Sequence, residues 1–389
     1  MDTGKKILIV AGEASGDLHG SRVVEALLRS DPALQVLAVG SERMRQAGAE
    51  MILDSSRLSV VGITEVLGRG RSLLNAYWVI KNFIKKGGLA LLILIDFPDF
   101  NLLLARTAKK MEVPVLYYIS PQVWAWRSGR VNKIARYVNK MAVIFPFEVP
   151  IYQKTGMGVE FVGHPLLDIL ETAPQGRLPF NEEFKGDPLI ALLPGSREKE
   201  VQSLLPEMIQ AADILTREKP GAKFILPAAP TVDVEDLREN IHCQSATITV
   251  VEGQTYAAIR AADLVIVASG TATLETAIMG KPMVIIYRVS PLSYWIGKAM
   301  VKVKWVGLVN IVAGKGVVPE LIQGEAKGRQ IADAALRILD DETYRRGMLE
   351  DLAEVREKLG TPGASQRVAK IALDMIDQNF RCRSVAKDQ

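Results

Sequence analysis

Short runs of β-branched and leucine residues recur along this chain, each closed by Gly, Pro, Asp or Ser and followed by apolar positions at helical spacing. In the first half they are Ile7 to Val10, Val36 to Val39, Ala90 to Ile95, Val115 to Ile119 and Met141 to Phe145. Runs that are apolar at every position belong to strands covered on both faces, and strands alternating with helices form parallel sheet. The passage from GHPLLD (163–168) to TAPQGRLPF (172–180) is rich in Gly and Pro and poor in strand signal. The alternation then resumes at Pro188 to Leu193, Lys223 to Pro227, Thr247 to Val251, Leu264 to Ala268 and Met283 to Tyr287. The pattern predicts an α/β protein of two Rossmann-like βα domains, residues 1–170 and 186–345, facing one another across a cleft. Helices over 346–380 would follow, and could return to the first domain. Sheets of this kind bind ligands at the carboxyl ends of their strands, so the turns that follow strands are where the chemistry is sought.

Length and composition narrow the picture. A chain of 389 residues fits two domains of roughly 150 to 200 residues, each large enough for its own core. With 48% hydrophobic and 24% charged residues the chain reads as folded. A net charge of +4 argues against nucleic-acid binding through a basic field. Cys243 and Cys382 stand far apart without a CxxC partner, which suggests neither a disulfide framework nor a zinc site and suits a reducing cytoplasm. The opening apolar run ends at Val10 and the longest, Leu89 to Ile95, falls far below the roughly 20 residues of a membrane-spanning helix. A cytoplasmic, non-spanning protein is expected.

The most informative stretch is DLVIVASGTATLETAIMGKPMVIIYR, residues 263–288, a strand, then Ser269, Gly270 and Thr271, then a helix carrying Glu275. Small residues at a helix start expose free N–H groups where the helix dipole is positive, so a diphosphate can be held there without a metal. Glu275, one turn in, could accept hydrogen bonds from ribose hydroxyls. The plainer alternative is an N-cap by Ser269 or Thr271 with a surface glutamate. In LIALLPGSREKEV, residues 189–201, a second strand runs into a glycine turn with Arg197 just beyond it. A guanidinium there suits a pyrophosphate and the charge growing on a nucleotide leaving group; a surface ion pair with Glu198 or Glu200 is the alternative. Neither GxGxxG nor GxxxxGK[ST] occurs, which weakens a dehydrogenase and an NTPase.

The first half offers three candidates for the other side of a reaction. The opening turn GEASGD places Glu13 and Ser15 at the mouth of the first strand, where they could position a base or touch a polar ligand; helix capping by Ser15 and Asp17 explains the residues equally well. The run LLILIDFPDFNLLLA, residues 91–105, ends a buried strand with Asp96 and Asp99 around Phe97-Pro98, and one of these carboxylates could serve as general base; an aspartate before a helix is more usually a cap. The passage ISPQVWAWRSGRVNKIARYV, residues 119–138, brings together Gln122, Trp124, Trp126, Arg127 and Arg130, a mixture suited to an anionic, partly apolar ligand such as a phosphorylated sugar carrying chains; buried tryptophans with solvated arginines would give the same composition. His19, His164 and His242 share no metal-ligand spacing and carry no assigned role. Leu73, Tyr77, Ile80 and Ile84 form a helical stripe with Leu74 and Trp78 beside it and Arg69, Arg71, Lys81, Lys85 and Lys86 around it. Such a face could dock on an anionic membrane or simply cover the sheet, and residues 291–306 have a similar mixture.

From AGEASGD through DFPDFN, SPQVWAWR, GHPLLD, LPGSR and ASGTATLE to LVNIVAG, the chain resembles the lipid-A-disaccharide synthase family over nearly its whole length. The resemblance implies a two-domain glycosyltransferase of the B fold class, inverting and without metal or other cofactor. It would transfer 2,3-diacylglucosamine from UDP-2,3-diacylglucosamine to the 6-hydroxyl of 2,3-diacylglucosamine 1-phosphate. It also implies peripheral attachment to the cytoplasmic face of the inner membrane of a Gram-negative bacterium, in a family where dimers occur. Carried over by position, Asp99 resembles the family's base, Arg197 and Glu275 its UDP contacts, Asn310 of LVNIVAG a further donor-site residue, and Glu13 and Ser15 its first glycine-rich turn. Gln122, Trp126 and Arg127 are the expected acceptor contacts. A UDP-sugar 2-epimerase on the same scaffold and a non-catalytic nucleotide-sugar-binding protein are the rival readings.

Overall fold

The structure is a computed structural model and describes residues 5–12, 14–54, 66–126, 129–173, 178, 187–289 and 304–385. The chain forms two compact units, Met1–Pro165 together with Gly360–Gln389, and Leu166–Leu359.

The first unit begins with β1 (Lys6–Ala11), α1 (Ala14–Ser30), β2 (Gln35–Gly40), α2 (Glu42–Gln46) and β3 (Glu50–Asp54). It continues through α3 (Val66–Lys85), β4 (Leu89–Ile95), α4 (Pro98–Lys110), β5 (Val115–Tyr118), α5 (Val123–Trp126) and α6 (Arg130–Tyr137). It closes with β6 (Lys140–Val143), α7 (Val149–Gln153) and β7 (Gly158–Phe161). These strands form one parallel sheet in the order β3-β2-β1-β4-β5-β6-β7. All seven residues of β4 are buried, as a central parallel strand requires. Alternate residues of β1 and β2, among them Leu8, Val10, Leu37 and Val39, share a core with Ile80 and Ile84 of α3 and Leu104 of α4. The stripe Leu73, Tyr77, Ile80 and Ile84 therefore faces the sheet.

The second unit contains α8 (Leu166–Thr172), β8 (Leu189–Leu193), α9 (Glu198–Glu218), β9 (Lys223–Ala228), α10 (Val234–Glu239) and β10 (Ile248–Glu252). After these come α11 (Thr255–Ala261), β11 (Leu264–Ala268), α12 (Thr271–Ile278), β12 (Met283–Tyr287), α13 (Leu308–Ala313), β13 (Glu320–Ile322), α14 (Gly328–Asp340) and α15 (Glu342–Lys358). Its six strands are also parallel, in the order β10-β9-β8-β11-β12-β13. Helix α8 is tied to this unit by Arg260, whose Nη2 donates to Leu170 O at 2.9 Å. The last helix, α16 (Ala364–Val385), belongs to the first unit. There Arg367 Nε donates to Val162 O at 2.7 Å and Lys5 pairs with Asp377 at 2.7 Å.

In each sheet the chain order turns back once, between β1 and β4 and between β8 and β11. Right-handed crossovers send the connections of such a strand pair to opposite faces, leaving a crevice at their carboxyl ends. The turns at 12–17 and 96–99 flank the first crevice, and those at 194–197 and 269–271 flank the second.

The turn after β4 is strained. Asp96 and Phe97 are both left-handed, with φ of 46° and 48°, a region that non-glycine residues occupy at a cost of about 1–3 kcal/mol each. Asn101, fully buried one turn into α4, holds it by donating from Nδ2 to Ile95 O at 3.1 Å and Asp96 O at 2.7 Å, and Tyr117 donates to Asp96 O at 2.5 Å. Gly12 is required opposite, because a Cβ there would run into the Phe97 ring. Replacing Asn101 with Ala should lower unfolding stability by about 2 kcal/mol or more. Asn101→Asp should cost more, since it sets acceptor oxygens against two carbonyls. Urea denaturation monitored by circular dichroism checks both, and an unchanged midpoint would contradict this account of the turn.

Candidate active site

At the second crevice the strand ends open a cavity of about 630 Å³. On one side Gly195, Ser196 and Arg197 follow β8, and on the other Ser269, Gly270 and Thr271 lead into α12. Gly195 has φ of 120°, and a Cβ there would press on Glu200, so only glycine makes this turn. Gly270 is extended, and a Cβ on it would meet open space; what its lack of a side chain provides is an uncovered approach to the amides behind it. No side chain caps α12, because the Ser269 hydroxyl donates to Val306 O at 3.3 Å and that of Thr273 to Gly270 O at 2.8 Å. The capping alternative is thereby removed, and the start of α12, where the helix dipole is positive, lines the cavity at Gly270, Thr271 and Ala272.

Arg197 reaches into solvent at the cavity edge with its side chain 82% exposed, held by Glu200 at 3.0 Å. An exposed pair of this kind is weak, so an arriving diphosphate can displace Glu200. Glu275 lies on the cavity wall, accepting from the Tyr256 hydroxyl at 3.2 Å, and burial raises its carboxyl above the usual range. Asn310 is placed differently from the expectation. It is fully buried and absent from the cavity lining. Its Nδ2 donates to Val318 O and Glu320 Oε1, and its Oδ1 accepts from the amides of Val317 and Val318. With every donor and acceptor of the amide used, its work is to hold the 310–320 turn.

Beside the first crevice, across the carboxyl ends of β4, β5 and β6, a cavity of about 300 Å³ is lined by Asp96, Asp99, Gln122, Arg130 and Glu148. Proline at the start of α4 sets Asp99 in the first turn, with its side chain 79% exposed and one oxygen, Oδ1, paired with Arg130 at 2.5 Å. Gln122 is exposed on the same cavity. Ser15 is exposed in the first turn of α1. Asp17 is buried in α1 and accepts from the amide and hydroxyl of Ser41, both at 2.5 Å, pinning the end of β2. Glu13 and Arg127 lie outside the described residues, as do the side chain of Trp126, those of Arg69 and Arg71, and residues 290–303.

The chain matches the family described as Lipid-A-disaccharide synthetase over residues 7–374. It is 48% identical over 375 residues to the lipid-A-disaccharide synthase of Geobacter metallireducens, covering 96% of this chain and 97% of that one. It is 40% identical over 380 residues to that of Coxiella burnetii, covering 96% and 99%. The chain belongs to the lipid-A-disaccharide synthetase family. The fold is shared more widely. The UDP-GlcNAc 2-epimerase of Neisseria meningitidis bound to UDP-GlcNAc superposes with a TM-score of 0.66 at 12% identity, covering 95% of this chain and 100% of that one. MurG of Acinetobacter baumannii gives 0.59 at 16%, covering 95% and 99%.

In this family member several residues at the two cavities carry no motif in the sequence. Tyr256 and Gln254 reach the larger cavity from the start of α11, and Glu148 reaches the smaller one from the turn after β6. Glu148 is buried, accepting from Trp124 Nε1 and from the amide of Phe145, both at 3.2 Å. Burial raises its carboxyl to about 7 against those hydrogen bonds. Nearby, burial and then the Arg22 charge lower His19 to about 4, and burial followed by the proximity of His19 lowers His164 to about 3.

These shifts oppose one another in pH. Both imidazoles stay neutral when folded but regain their ordinary 6.5 on unfolding, so their contribution is present above pH 6.5 and is lost as pH falls. Glu148 takes its proton more readily when folded than at the ordinary 4.5, so its contribution is present below 4.5 and is lost as pH rises through 7. Between pH 6 and 5 these three groups hold about two protons in the unfolded chain and about one in the folded chain, giving a stability loss of about 1.4 kcal/mol per pH unit as pH falls. Glu148→Gln should raise that slope to about 2.7 kcal/mol per unit. Urea midpoints across this range check it, and an unaltered slope would contradict the burial of a titrating Glu148.

Proposed function

We propose that this chain is the glycosyltransferase that forms lipid A disaccharide, joining 2,3-diacylglucosamine from its UDP conjugate to 2,3-diacylglucosamine 1-phosphate with release of UDP. Family membership over 7–374 carries the reading, and the chemistry of the two crevices supports it. The larger cavity takes the donor: the diphosphate rests on the amides at the start of α12, Arg197 leaves Glu200 for it, and Glu275 accepts from the ribose hydroxyls. The smaller cavity takes the acceptor. Asp99 removes the proton of the acceptor 6-hydroxyl through its free oxygen, Oδ2, while Arg130 holds the other. Asp99 rather than Asp96 is assigned as base because its carboxylate is exposed on a helix start, whereas Asp96 sits in the strained turn. The hydroxyl attacks the anomeric carbon as the bond to UDP breaks, and charge builds on the diphosphate where dipole and guanidinium meet it. A single displacement inverts the anomeric centre.

The acyl chains of both substrates place the reaction at a membrane. Among the described residues no helix is long and apolar enough to cross one. Helix α3 exposes Leu74, Trp78 and Val79, with Lys81 Nζ 4.1 Å from the centre of the Trp78 ring. This apolar strip beside cations suits contact with an anionic leaflet, in keeping with peripheral attachment at the inner membrane. A homodimer belongs to the same reading by family resemblance alone.

UDP release with and without the lipid acceptor tests the function. Release should require the acceptor; release from the donor alone would point to a hydrolase, and none in either case to an epimerase, which keeps UDP on its product, or to a binding protein. Asp99→Asn should lower turnover by on the order of 10² or more while UDP binding stays within about twofold. Undiminished turnover would move the base elsewhere.

A further inference from the structure

Asp99 and Arg130 line a second cavity as well, of about 80 Å³, in the groove between α4 and α6. Leu102, Leu103 and Arg106 of α4 and Lys133 and Tyr137 of α6 complete its walls. Arg130, Lys133 and Tyr137 stand at spacings of three and four, and Asp99 and Arg106 seven apart, so each helix turns one face into the groove. Among the described residues Arg106 and Lys133 have no acidic partner, and the carboxylate in the groove, Asp99, is already engaged by Arg130. Three cations against one carboxylate, with a phenol beside them, describe a site for a multiply charged oxyanion.

We propose that this groove binds the phosphate monoester of the acceptor, with Arg106 and Lys133 as its ligands and Tyr137 as a hydroxyl donor. The proposal rests on the reading that the acceptor is a phosphorylated diacyl sugar. Two turns of α4 separate Arg106 from Asp99 by about 10 Å along the axis. That separation suits a hexose whose attacking hydroxyl and anomeric phosphate lie at opposite ends of the ring. Leu103 is 48% exposed at the groove edge, and the exposed Leu74 and Trp78 stand on α3, which packs on α4. Apolar surface therefore adjoins the cationic site, as an amphiphile with charged and acylated parts requires. The phosphate also offers Arg130 a second anion, so its arrival would loosen the guanidinium from Asp99 as the hydroxyl approaches.

The test uses the full chain with Arg106→Gln, Lys133→Gln and both together. KM for the phosphorylated acceptor should rise about tenfold for each charge lost, with kcat, KM for the donor and UDP affinity within twofold. With a dephosphorylated acceptor, wild type and double variant should converge; an equal loss on both acceptors, or an unchanged KM, would overturn the proposal. Co-sedimentation with phosphatidylglycerol vesicles separates the two sources of phosphate: binding should be unchanged in the double variant, and its loss would assign the groove to lipid headgroups instead. Titration with glucosamine 1-phosphate reads the site without turnover. Wild type should bind at least tenfold more tightly than the double variant, and equal binding would overturn the site even if the enzyme transfers sugar. Failure of wild type to transfer at all, with that difference in binding intact, would instead overturn the functional reading.

Discussion

Parallel strands connected by right-handed crossovers cannot pair with neighbours of both directions without leaving a gap where the order turns back. This protein has one such gap in each sheet, and the donor-side candidates Arg197, Ser269, Gly270, Thr271 and Glu275 gather at the second of them. At β8 and β11 the strand ends deliver a glycine turn and an uncapped helix start to the same place. At β1 and β4 they deliver Gly12 and a left-handed Asp96-Phe97 turn. The strain at Asp96 and Phe97 is tolerated because Asn101 and Tyr117 satisfy the carbonyls around it. Its product is a helix that starts with Asp99 at the crevice.

The two crevices manage charge in different ways. The larger one offers partial positive charge from backbone that cannot move, plus one guanidinium that can. The first unit offers one paired cation, Arg130, and two exposed ones in the adjoining groove, Arg106 and Lys133, around the acid Asp99. Buried polar groups behind the smaller cavity, Glu148 with Trp124 and Ser120 with Tyr152 at 2.7 Å, hold the loops that shape it. Under the proposed function the first arrangement takes a nucleotide diphosphate and the second a phosphorylated hydroxyl donor.

Much of this was legible in the sequence because central parallel strands announce themselves. β1, β4, β8 and β11 are apolar at almost every position, and the glycine, acid and hydroxyl residues that end them are visible at once. The edge strands β3, β7 and β13 were not predicted. They are partly exposed and lack the continuous apolar run by which the others are recognised. Asn310 shows the opposite failure: a polar residue in a motif suggested a ligand, while its amide closes a buried turn. Glu148, Gln254 and Tyr256 had no signal, since each enters its crevice from an element whose local pattern says nothing about where it packs. The stripe on α3 was ambiguous for a similar reason. Its sheet-facing half and its exposed half differ only by one position in register, which composition alone does not resolve.

The account depends on the second crevice being a diphosphate site built from backbone amides. Hydrogen exchange of the full chain with and without saturating UDP measures those amides directly. Slowed exchange at 195–198 and 270–273, with the turns after β1 and β4 unaffected by UDP, is the predicted result. Protection confined to the first unit, or none at the start of α12, would contradict it.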